Sequence, residues 1–545
     1  MNFGETPLAE AEGAILAHSL KAEGLSFKKG RRLSKADVEA LKATGIEILI
    51  AARLEADDVH EDEAAAAIAA AVGGEHLTAS AAFTGRCNLI ADGRGVLAID
   101  RARLDRLNLV DEAVTIATLP PYDLVEPKQM AATIKIIPFA VPQRVLDACL
   151  ALAREGDQPL IAVSELRPRK VGLVQTSLPG QKPSLLDKTR EAIDTRLAAL
   201  DCPPAEERRC SHDAEATADA VSELRASGCE LLLVSGASAI VDRRDVVPAG
   251  IVAAGGTIEH FGMPVDPGNL MLLARLDALP VIGLPGCARS PKVNGFDWVL
   301  QRLLADVPVD PRDVMTMGAG GLLKEIPIRP LPRAAAVEKT APPEAPRAPR
   351  IAAVILAAGR STRMGRVNKL LAEIEGAPMV VNAVRAALAS QAEPVIVVTG
   401  HERHEVEAAL AGQPVTFVHN PDYAGGLSTS LHRGLGALPE ESDGVVVCLG
   451  DMPRVGPQVI DRLIAAFSPL EGRAICLPTW QGKRGNPVLL GRQFLAEVQT
   501  IAGDIGAKAL IGEYPELVAE VPMPDDAVLT DIDTPDGLAR LKSAG

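Results

Sequence analysis

Residues 351–369 constrain the fold of this chain more than any other segment, because an apolar strand runs there directly into a loop of small and cationic residues. The apolar run at 351–356 is typical of a buried parallel strand. The next residues are small enough for backbone N–H groups to approach an anion: Ala357, Ala358 and Gly359. Positive charge then follows at Arg360, Arg363 and Lys369. The segment predicts a triphosphate-binding loop in an α/β domain.

The glycine spacing of this loop differs from the two commonest nucleotide loops. A Walker loop needs Gly-x4-Gly-Lys-Ser/Thr and a dinucleotide fold needs Gly-x-Gly-x-x-Gly, and the loop follows neither pattern. An ordinary strand-to-helix turn with surface arginines is the alternative interpretation. We favour phosphate binding because the small residues and the cations occur in one ordered string.

Length and composition indicate a multidomain α/β protein. At about 150 residues per domain, 545 residues predict three or four units. Apolar residues make up 47% of the chain but aromatic residues only 3%, which favours aliphatic α/β cores over an all-β fold. The formal charge of −15 argues against nucleic acid as a partner, because a polyanion needs a basic face.

The cysteines and the amino-terminal sequence predict a cytoplasmic protein. The eight cysteines include no C-x-x-C pair, so neither a zinc site nor a disulfide framework is indicated. The chain opens without a cationic lead into an apolar stretch, unlike a secretory signal. The longest apolar stretch, residues 64–72, is far shorter than the about 20 residues that span a bilayer, so no membrane association is expected.

Four segments are predicted along the chain. Residues 327–350 are rich in proline and alanine and predict an extended linker. Strand and helix signals alternate after it, in 351–545, and before it, in 166–326, so we expect a doubly wound parallel sheet in each segment. Residues 1–165 predict a mixed α+β region.

Carboxylates are expected beside the glycine loop, since nucleotidyl transfer uses a metal that bridges phosphate oxygens. Asp451 follows the apolar run 445–449 directly and is the first candidate ligand; a turn aspartate before proline is the alternative. Asp533 is the second candidate, and it also suits the N-cap of a helix. These residues predict a Mg²⁺ site.

No catalytic base is indicated by the sequence. A phosphate monoester with a second pKa of about 6 is already anionic at neutral pH, so an acceptor phosphate needs no activation. His401 and His404 have the spacing of a zinc pair, but their charged surroundings favour a solvated loop.

The combined motifs of residues 351–545 resemble those of CTP:molybdopterin cytidylyltransferases. The matching strings are L-A-A-G-R-S-x-R-M-G, N-P-x-Y-x-x-G-x-S-x-S-L, L-G-D-M-P, R-G-N-P-V-L, G-D-x-G-A and D-I-D-T-P-D. The resemblance implies a Rossmann-like nucleotidyltransferase that joins cytidine monophosphate from CTP to the terminal phosphate of molybdopterin. It implies triphosphate contacts at Gly359, Arg363 and Lys369 and Mg²⁺ ligands at Asp451 and Asp533. Guanylyltransferases more often have L-A-G-G at the loop, so Ala358 favours cytosine.

Further substrate contacts are implied by the same resemblance, at Gly425, Ser428, Ser430, Arg484 and Asn486. Ser428 and Ser430 are equally suited to capping a following helix. Related proteins often have histidine in place of Asn486.

Three strand-then-loop units precede the linker, with strands expected at 171–176, 230–235 and 280–284. Loops at the carboxyl ends of neighbouring parallel strands meet at one crevice, so we expect one site there for a phosphate-bearing heterocycle. Residues 235–242 and 283–286 resemble the T-G-G-x-S-x-G-D and G-L-P-G motifs of molybdopterin molybdotransferases. The resemblance implies pterin contacts at Ser235, Gly236, Ser238, Asp242, Gly286 and Lys292.

Ordinary turn and cap roles are the alternative for these serines and for Asp242. Ala237 replaces the second glycine of T-G-G, and Cys287-Ala-Arg replaces Asn-Pro-Val of the same family. The departures are compatible with loss of molybdate insertion while pterin binding is kept. Cys287 is expected to be a small loop residue rather than a nucleophile.

The sequence therefore predicts a fusion of a molybdopterin-binding domain with a Mg²⁺-dependent cytidylyltransferase. CTP and molybdopterin are the expected substrates, and molybdoenzymes or their chaperones are candidate recipients of the product. Two alternatives stay open: a nucleotidyltransferase that uses GTP or another phosphorylated acceptor, and a molybdopterin carrier without transferase activity.

Overall fold

The computed structural model describes residues 1–22, 25–265, 269–290, 293–321, 347–360, 368–374, 376–499 and 508–532. Within these ranges no helix is long and apolar enough to cross a membrane. The predicted linker lies mostly outside the described residues. Its last residues are anchored, because the Arg347 guanidinium donates to Asp443 Oδ2 at 2.6 Å and the Arg350 N–H donates to the same oxygen at 2.7 Å.

The first region is a small antiparallel unit. Its strands are β1 (Asn2–Pro7), β2 (Ile15–Leu16), β3 (Leu20–Ala22), β4 (Leu25–Phe27) and β5 (Ile48–Arg53), and its helix is α1 (Lys35–Lys42). The sheet has the order β1-β5-β2, and β3 pairs with β4. Ser34 caps α1 in a capping box with Asp37, which explains why the helix begins there. The sequence pattern predicts a helix at 34–44 and a strand at 46–51, and both are present with slightly shifted ends.

The second region packs three helices on short antiparallel sheets. The helices are α2 (Glu61–Val72), α3 (Arg101–Asn108) and α4 (Gln143–Ala153). The strands are β6 (Asp58–His60), β7 (Leu77–Ala79), β8 (Arg86–Ala91), β9 (Gly95–Ile99), β10 (Val114–Thr118), β11 (Leu124–Val125), β12 (Met130–Ile136), β13 (Ala140–Pro142) and β14 (Ile161–Glu165). The sheet orders are β10-β12-β8-β7, β11-β9-β14 and β13-β6. The alanine face of α2 lies in the core of this region, so small side chains allow the helix to pack closely.

The third region contains a six-stranded sheet. Its strands are β15 (Val171–Ser177), β16 (Glu206–Ser211), β17 (Leu231–Ser235), β18 (Thr257–Met263), β19 (Asn269–Leu276) and β20 (Leu279–Gly283). Its helices are α5 (Pro183–Ala198), α6 (Ala214–Ala226), α7 (Val246–Ala253), α8 (Gly295–Leu304) and α9 (Pro311–Thr316). The order is β16-β15-β17-β20-β19-β18. The first four strands are parallel and β19 and β18 are antiparallel, so the sheet is mixed rather than wholly parallel.

The carboxyl-terminal region contains an eight-stranded sheet in the order β25-β24-β21-β26-β29-β27-β28, with β30 beside β27. The strands of the whole region are β21 (Ile351–Ala357), β22 (Glu373–Ile374), β23 (Ala377–Pro378), β24 (Val395–Thr399), β25 (Thr416–His419), β26 (Gly444–Leu449), β27 (Ile475–Trp480), β28 (Lys483–Arg484), β29 (Val488–Gly491) and β30 (Val518–Pro522). Of these, β22 and β23 pair with each other in a separate two-stranded sheet. Its helices are α10 (Met379–Leu388), α11 (Arg403–Ala409), α12 (Leu427–Leu435), α13 (Pro457–Ala466), α14 (Leu495–Val498) and α15 (Lys508–Glu513).

The central strands of this sheet are parallel, as the sequence predicted, and β29 is antiparallel to its neighbours. All seven residues of β21 are buried, because helices cover both faces of a parallel sheet. Gly434 of α12 is packed so closely on β21 that an added Cβ would lie 2.5 Å from Val354 Cγ1. The carboxyl ends of β21, β24 and β26 therefore lie together at one edge, where the loops carry the predicted site.

Candidate active site

The register of β21 and β26 places Asp451 beside the glycine loop. Leu356 and Leu449 are paired in the two parallel strands. The Gly450 N–H donates to the Leu356 carbonyl at 3.1 Å, which ties the loop after β26 to the end of β21. Asp451 follows at once. The apolar run and the turn after it thus deliver a carboxylate to the carboxyl edge of the sheet.

An ion pair lies at the centre of this edge. Lys369 Nζ donates to Asp451 Oδ2 at 2.5 Å, and the two side chains are 13% and 18% exposed. Asn368 precedes the lysine and is buried, and its Oδ1 accepts the Leu370 N–H at 3.0 Å. This cap holds the short turn that carries Lys369. Two residues predicted for different roles, triphosphate contact and metal ligand, are therefore in direct contact.

The glycine loop runs from buried to exposed residues. Ala357 and Ala358 are buried, whereas Gly359 and Arg360 are exposed. A Cβ added to Gly359 would meet no heavy atom of the described residues within 4 Å, so packing against this part of the protein does not require glycine there. Arg363 lies outside the described residues, so its predicted role stays a prediction.

The carboxyl-terminal segment reaches Asp451 through its backbone. The Ile532 N–H donates to the Asp451 carbonyl at 3.1 Å. Asp533 is the next residue and lies outside the described part of the chain, so its predicted ligand role is untested. Within the described ranges no group of three His, Cys, Asp or Glu residues could hold a metal ion. The donor chemistry at Asp451 still suits Mg²⁺, which binds to one or two protein carboxylates together with substrate phosphates.

Ser428 and Ser430 lie within the first turns of α12, and Gly426 is the N-cap. Neither serine caps the helix, so the capping interpretation of the sequence is wrong for both. Ser430 Oγ instead accepts from Asn420 Nδ2 at 2.9 Å inside the protein. Ser428 is 4% exposed, and Gly425 is exposed in the turn just before the helix.

Arg484 and Asn486 lie on the far side of β26 from the glycine loop. Arg484 is exposed in β28, and its Nε donates to Glu520 Oε1 at 2.9 Å. The Asn486 N–H donates to the Val528 carbonyl at 2.9 Å, which joins this loop to the segment that continues to Ile532. No described hydrogen bond or ion pair links either side chain to Lys369 or Asp451.

The two histidines considered for zinc do not form a site among the described residues. His401 is stacked obliquely near Tyr423, with ring centroids 5.9 Å apart, and its N–H donates to the Ala358 carbonyl at 3.3 Å. His404 is exposed on α11.

A second polar cluster lies at the carboxyl ends of the parallel strands of the third region. Thr176 Oγ1 accepts from the Ala237 N–H at 2.8 Å and lies 2.7 Å from His212 Nδ1. His212 Nε2 lies 3.2 Å from Ser238 Oγ. The Arg289 guanidinium comes from the loop after β20 and donates to the Gly236 carbonyl at 2.5 Å. Hydrogen bonds thus join residues at the carboxyl ends of four parallel strands.

The predicted pterin contacts differ in their positions at this edge. Ser235 is buried at the end of β17, and Gly236 is buried in the loop beside it. Asp242 is exposed and paired with Arg244, with Oδ1 2.9 Å from Nε, and this hydrogen bond lowers the pKa of its carboxyl. Gly286 is exposed. Ser238 is exposed in the loop after β17, and Lys292 lies outside the described residues. The predicted binding roles of all six residues remain predictions.

Four residues at the two edges were missed by the sequence reasoning: Asn368, Thr176, His212 and Arg289. His212 follows β16, an edge strand made of charged residues with no apolar alternation, so its strand gave no signal. Asn368 could have been found, because an amide before Lys-Leu-Leu has the pattern of a cap.

Comparison with known proteins finds similarity in two segments of the chain. Residues 353–518 match the family model of the MobA-like NTP transferase domain, and residues 5–53 match a domain of unknown function (DUF8806). A nicotine blue oxidoreductase from Paenarthrobacter nicotinovorans is 28% identical over 204 residues, which cover 35% of this chain and 97% of that protein.

The molybdenum cofactor cytidylyltransferase of Escherichia coli (strain K12) is 28% identical over 192 residues, which cover 35% of this chain and 94% of that protein. A solved nucleotidyl transferase from Methanothermobacter thermautotroptrophicus is 28% identical, with a TM-score of 0.33. The match covers 36% of this chain and 97% of the chain of that protein. The carboxyl-terminal region therefore contains a MobA-like NTP transferase domain, and the protein is an enzyme of the nucleotidyltransferase class.

Proposed function

We propose that the protein is a molybdenum cofactor cytidylyltransferase, which transfers CMP from CTP to the terminal phosphate of molybdopterin and releases pyrophosphate. The observation that carries the proposal is the Lys369–Asp451 pair beside the open glycine loop of a MobA-like domain. The relative named as a molybdenum cofactor cytidylyltransferase supports the choice of substrates, since its similarity extends over 94% of its length.

The residues of this edge have complementary roles in the proposed reaction. Backbone N–H groups at Ala358 and Gly359 bind the triphosphate, and Lys369 neutralises the charge that develops as pyrophosphate leaves. The acceptor phosphate attacks the α-phosphorus of CTP in line, and the bond to the leaving pyrophosphate breaks. Because the acceptor is already anionic at neutral pH, orientation and charge neutralisation supply the catalysis.

Asp451 and Asp533 would hold Mg²⁺ in this proposal. The bound ion would supply charge neutralisation at the phosphate oxygens. In the structure, Lys369 Nζ is the positive partner of the Asp451 carboxylate. We infer that Lys369 turns toward the triphosphate when nucleotide is bound.

The third region is proposed to bind molybdopterin and to supply it to the transferase domain. The convergence of its loops on His212 and Ser238 and the positive charge of Arg289 support an anion-binding role. A tether through the proline-rich linker at 327–350 would raise the local concentration of substrate. Cleavage at a protease site inserted into this linker should lower coupled turnover at low molybdopterin concentration. Unchanged turnover after cleavage would contradict the handoff.

The decisive assay measures pyrophosphate release by the purified full-length protein with Mg²⁺ and isolated molybdopterin, using CTP, GTP and ATP in parallel. Release with CTP well above release with GTP and ATP is the expected result. Preference for GTP would change the assigned nucleotide. Release that requires a different phosphorylated acceptor would change the assigned substrate, and no release with any nucleotide would favour a molybdopterin carrier.

An oxidoreductase activity is the second candidate, because one relative with that name is similar over 97% of its length. The same protein incubated with a reduced nicotinamide cofactor and an electron-accepting dye distinguishes the two reactions. Cofactor oxidation without nucleotide consumption would replace the proposed function.

A further inference from the structure

The polar cluster of the third region forms a directed chain of hydrogen bonds, defined here as the 176–212–238 chain. It begins at the Ala237 N–H, which donates to Thr176 Oγ1 at 2.8 Å. It continues from Thr176 to His212 Nδ1 over 2.7 Å and from His212 Nε2 to Ser238 Oγ over 3.2 Å. Each step connects a different strand end, since the residues follow or end β15, β16 and β17.

The donor and the acceptor of each hydrogen bond follow from the Ala237 N–H, the first donor of the 176–212–238 chain. A backbone N–H can only donate, so it occupies one lone pair of the Thr176 hydroxyl. Thr176 is 1% exposed, and the described residues provide no acceptor for its proton except His212 Nδ1. A buried hydroxyl proton needs an acceptor, which assigns the neutral His212 tautomer with its proton on Nε2. His212 therefore donates to Ser238 Oγ.

The 176–212–238 chain ends at the Ser238 hydroxyl. Ser238 Oγ accepts from His212, so its own proton is available for a further acceptor. Ser238 is exposed, whereas Thr176 is buried and His212 is half-buried, so the chain leads from the protein interior to solvent. Gly236 keeps this loop tight, because an added Cβ would lie 2.8 Å from the Ser238 carbonyl oxygen.

The surroundings of Ser238 indicate what the acceptor would be. The Arg289 guanidinium contacts the same loop at the Gly236 carbonyl and adds a positive charge. Asp245 is occupied as the N-cap of α7, and Asp242 is paired with Arg244. Apolar side chains are exposed on the adjoining loops, with Leu178 at 49% and Val241 at 73%. These features favour an anionic group on an apolar body over a cation or a metal ion.

We infer that Ser238 donates its hydroxyl proton to the phosphate of a phosphomonoester ligand, and that His212 is the positioning residue that directs this proton toward the ligand. The inference rests on the proposed function only for naming the pterin as the natural phosphomonoester. It adds two residues, His212 and Thr176, that neither the motif resemblance nor the transferase site includes.

The test is a double-mutant cycle on the binding of phenyl phosphate and inorganic phosphate, measured by titration calorimetry. All variants carry Lys369→Ala, so that phosphate binding at the transferase loop contributes little. The parent should bind phenyl phosphate more tightly than inorganic phosphate because of the apolar loops. Ser238→Ala should weaken phenyl phosphate binding roughly tenfold or more, the effect of losing one hydrogen bond to a charged group.

His212→Ala should weaken phenyl phosphate binding to a similar extent. When it is combined with Ser238→Ala, it should weaken binding by less than about a further twofold, because its effect passes through Ser238. His212→Gln keeps an amide donor near the position of Nε2 and should stay within about threefold of the parent. Thermal unfolding checks that each variant is folded. If His212→Ala does not fold, His212→Gln and Ser238→Ala still provide the test.

Three results would overturn the inference: no saturable phenyl phosphate binding by the parent, independent effects of His212→Ala and Ser238→Ala, or His212→Gln as weak as His212→Ala. Cytidylyl transfer is measured separately in the protein that keeps Lys369, and failure of this transfer with an intact binding cycle would defeat the proposed function alone. A failed cycle with intact transfer to molybdopterin would defeat this inference alone.

Discussion

The third and carboxyl-terminal regions have similar sheets with different chemistry at their loops. Each sheet has four adjacent parallel strands that continue into antiparallel strands on one side. In the carboxyl-terminal sheet, the loops bring together a carboxylate and an ammonium group, Asp451 and Lys369. In the third region they bring together hydroxyls and an imidazole, Thr176, Ser238 and His212, beside one arginine.

In both regions the sheet positions the loops, and the residues of the loops determine the chemistry. A carboxylate beside a lysine suits a reaction that handles a triphosphate with a metal ion. The acids of the third region have other partners, because Asp213 and Asp245 cap helices and Asp242 is paired with Arg244. Among the described residues, none of these three carboxylates is therefore paired with a lysine, as Asp451 is at the transferase edge.

The largest expected effect tests the acid of the transferase edge. Asp451→Asn should lower kcat for pyrophosphate release by roughly 100- to 1000-fold. The variant loses a ligand of the proposed Mg²⁺, and neutralisation of the phosphate charge by that ion is worth several kcal/mol. Steady-state kinetics with CTP and a denaturation curve provide the measurement. Glu440→Gln is the matched control, because Glu440 is exposed before the opposite end of β26. Near-normal turnover of Asp451→Asn would remove this carboxylate from the reaction.

A core substitution tests whether the two sheets act separately. Leu233 is fully buried in β17, so Leu233→Ala should lower the free energy of unfolding of the third region by about 2–5 kcal/mol. Pyrophosphate release at saturating free substrates should be unchanged below the unfolding temperature. Val354→Ala, in the fully buried β21, is the counterpart that should destabilise the transferase sheet. Equal loss of activity in both variants would show that the sheets depend on each other.

Buried charge outside both edges gives a pH-dependent prediction. Burial raises the pKa of Glu61 to about 7, and Lys135, with Nζ 3.7 Å from Glu61 Oε2, opposes the shift. The folded protein then binds more protons than the unfolded chain between the ordinary pKa of 4.5 and about 7. Stability should therefore fall as pH rises through this window, by up to about 3 kcal/mol.

Glu61→Gln should remove most of this fall, as measured by urea denaturation at pH 5 and pH 8. Glu63→Gln is the matched control, since Glu63 is exposed on the same first turn of α2. An unchanged pH profile in Glu61→Gln would mean that Glu61 does not titrate in this window.

The smallest expected effect concerns the glycine loop. Gly359→Ala adds a Cβ that meets no protein atom within 4 Å, so the unfolding temperature should not change. The KM for CTP should rise roughly tenfold, because the methyl group would hold the triphosphate away from the backbone. Gly512→Ala also adds a Cβ in open space and serves as the control. An unchanged KM would mean that the triphosphate does not approach Gly359.

The strands before each site could be predicted because their burial is encoded locally. The apolar run of β21 and the one before Asp451 mark strands covered on both faces, and the loop residues follow them directly. The apolar patterns at 380–389 and 457–467 also predict helices, and α10 and α13 lie within one residue of these bounds at each end. The antiparallel β29 was not predicted, because a short apolar run does not state the direction in which it pairs.

The sequence by itself determined where the parallel strands lie and which glycine and acidic residues end them, since burial and turn formation depend on neighbouring residues. Only the tertiary structure decided that Lys369 contacts Asp451 across 82 positions and that His212 joins Thr176 to Ser238. Such contacts depend on strand order and register. These are set by the packing of the whole sheet, and no local pattern records them.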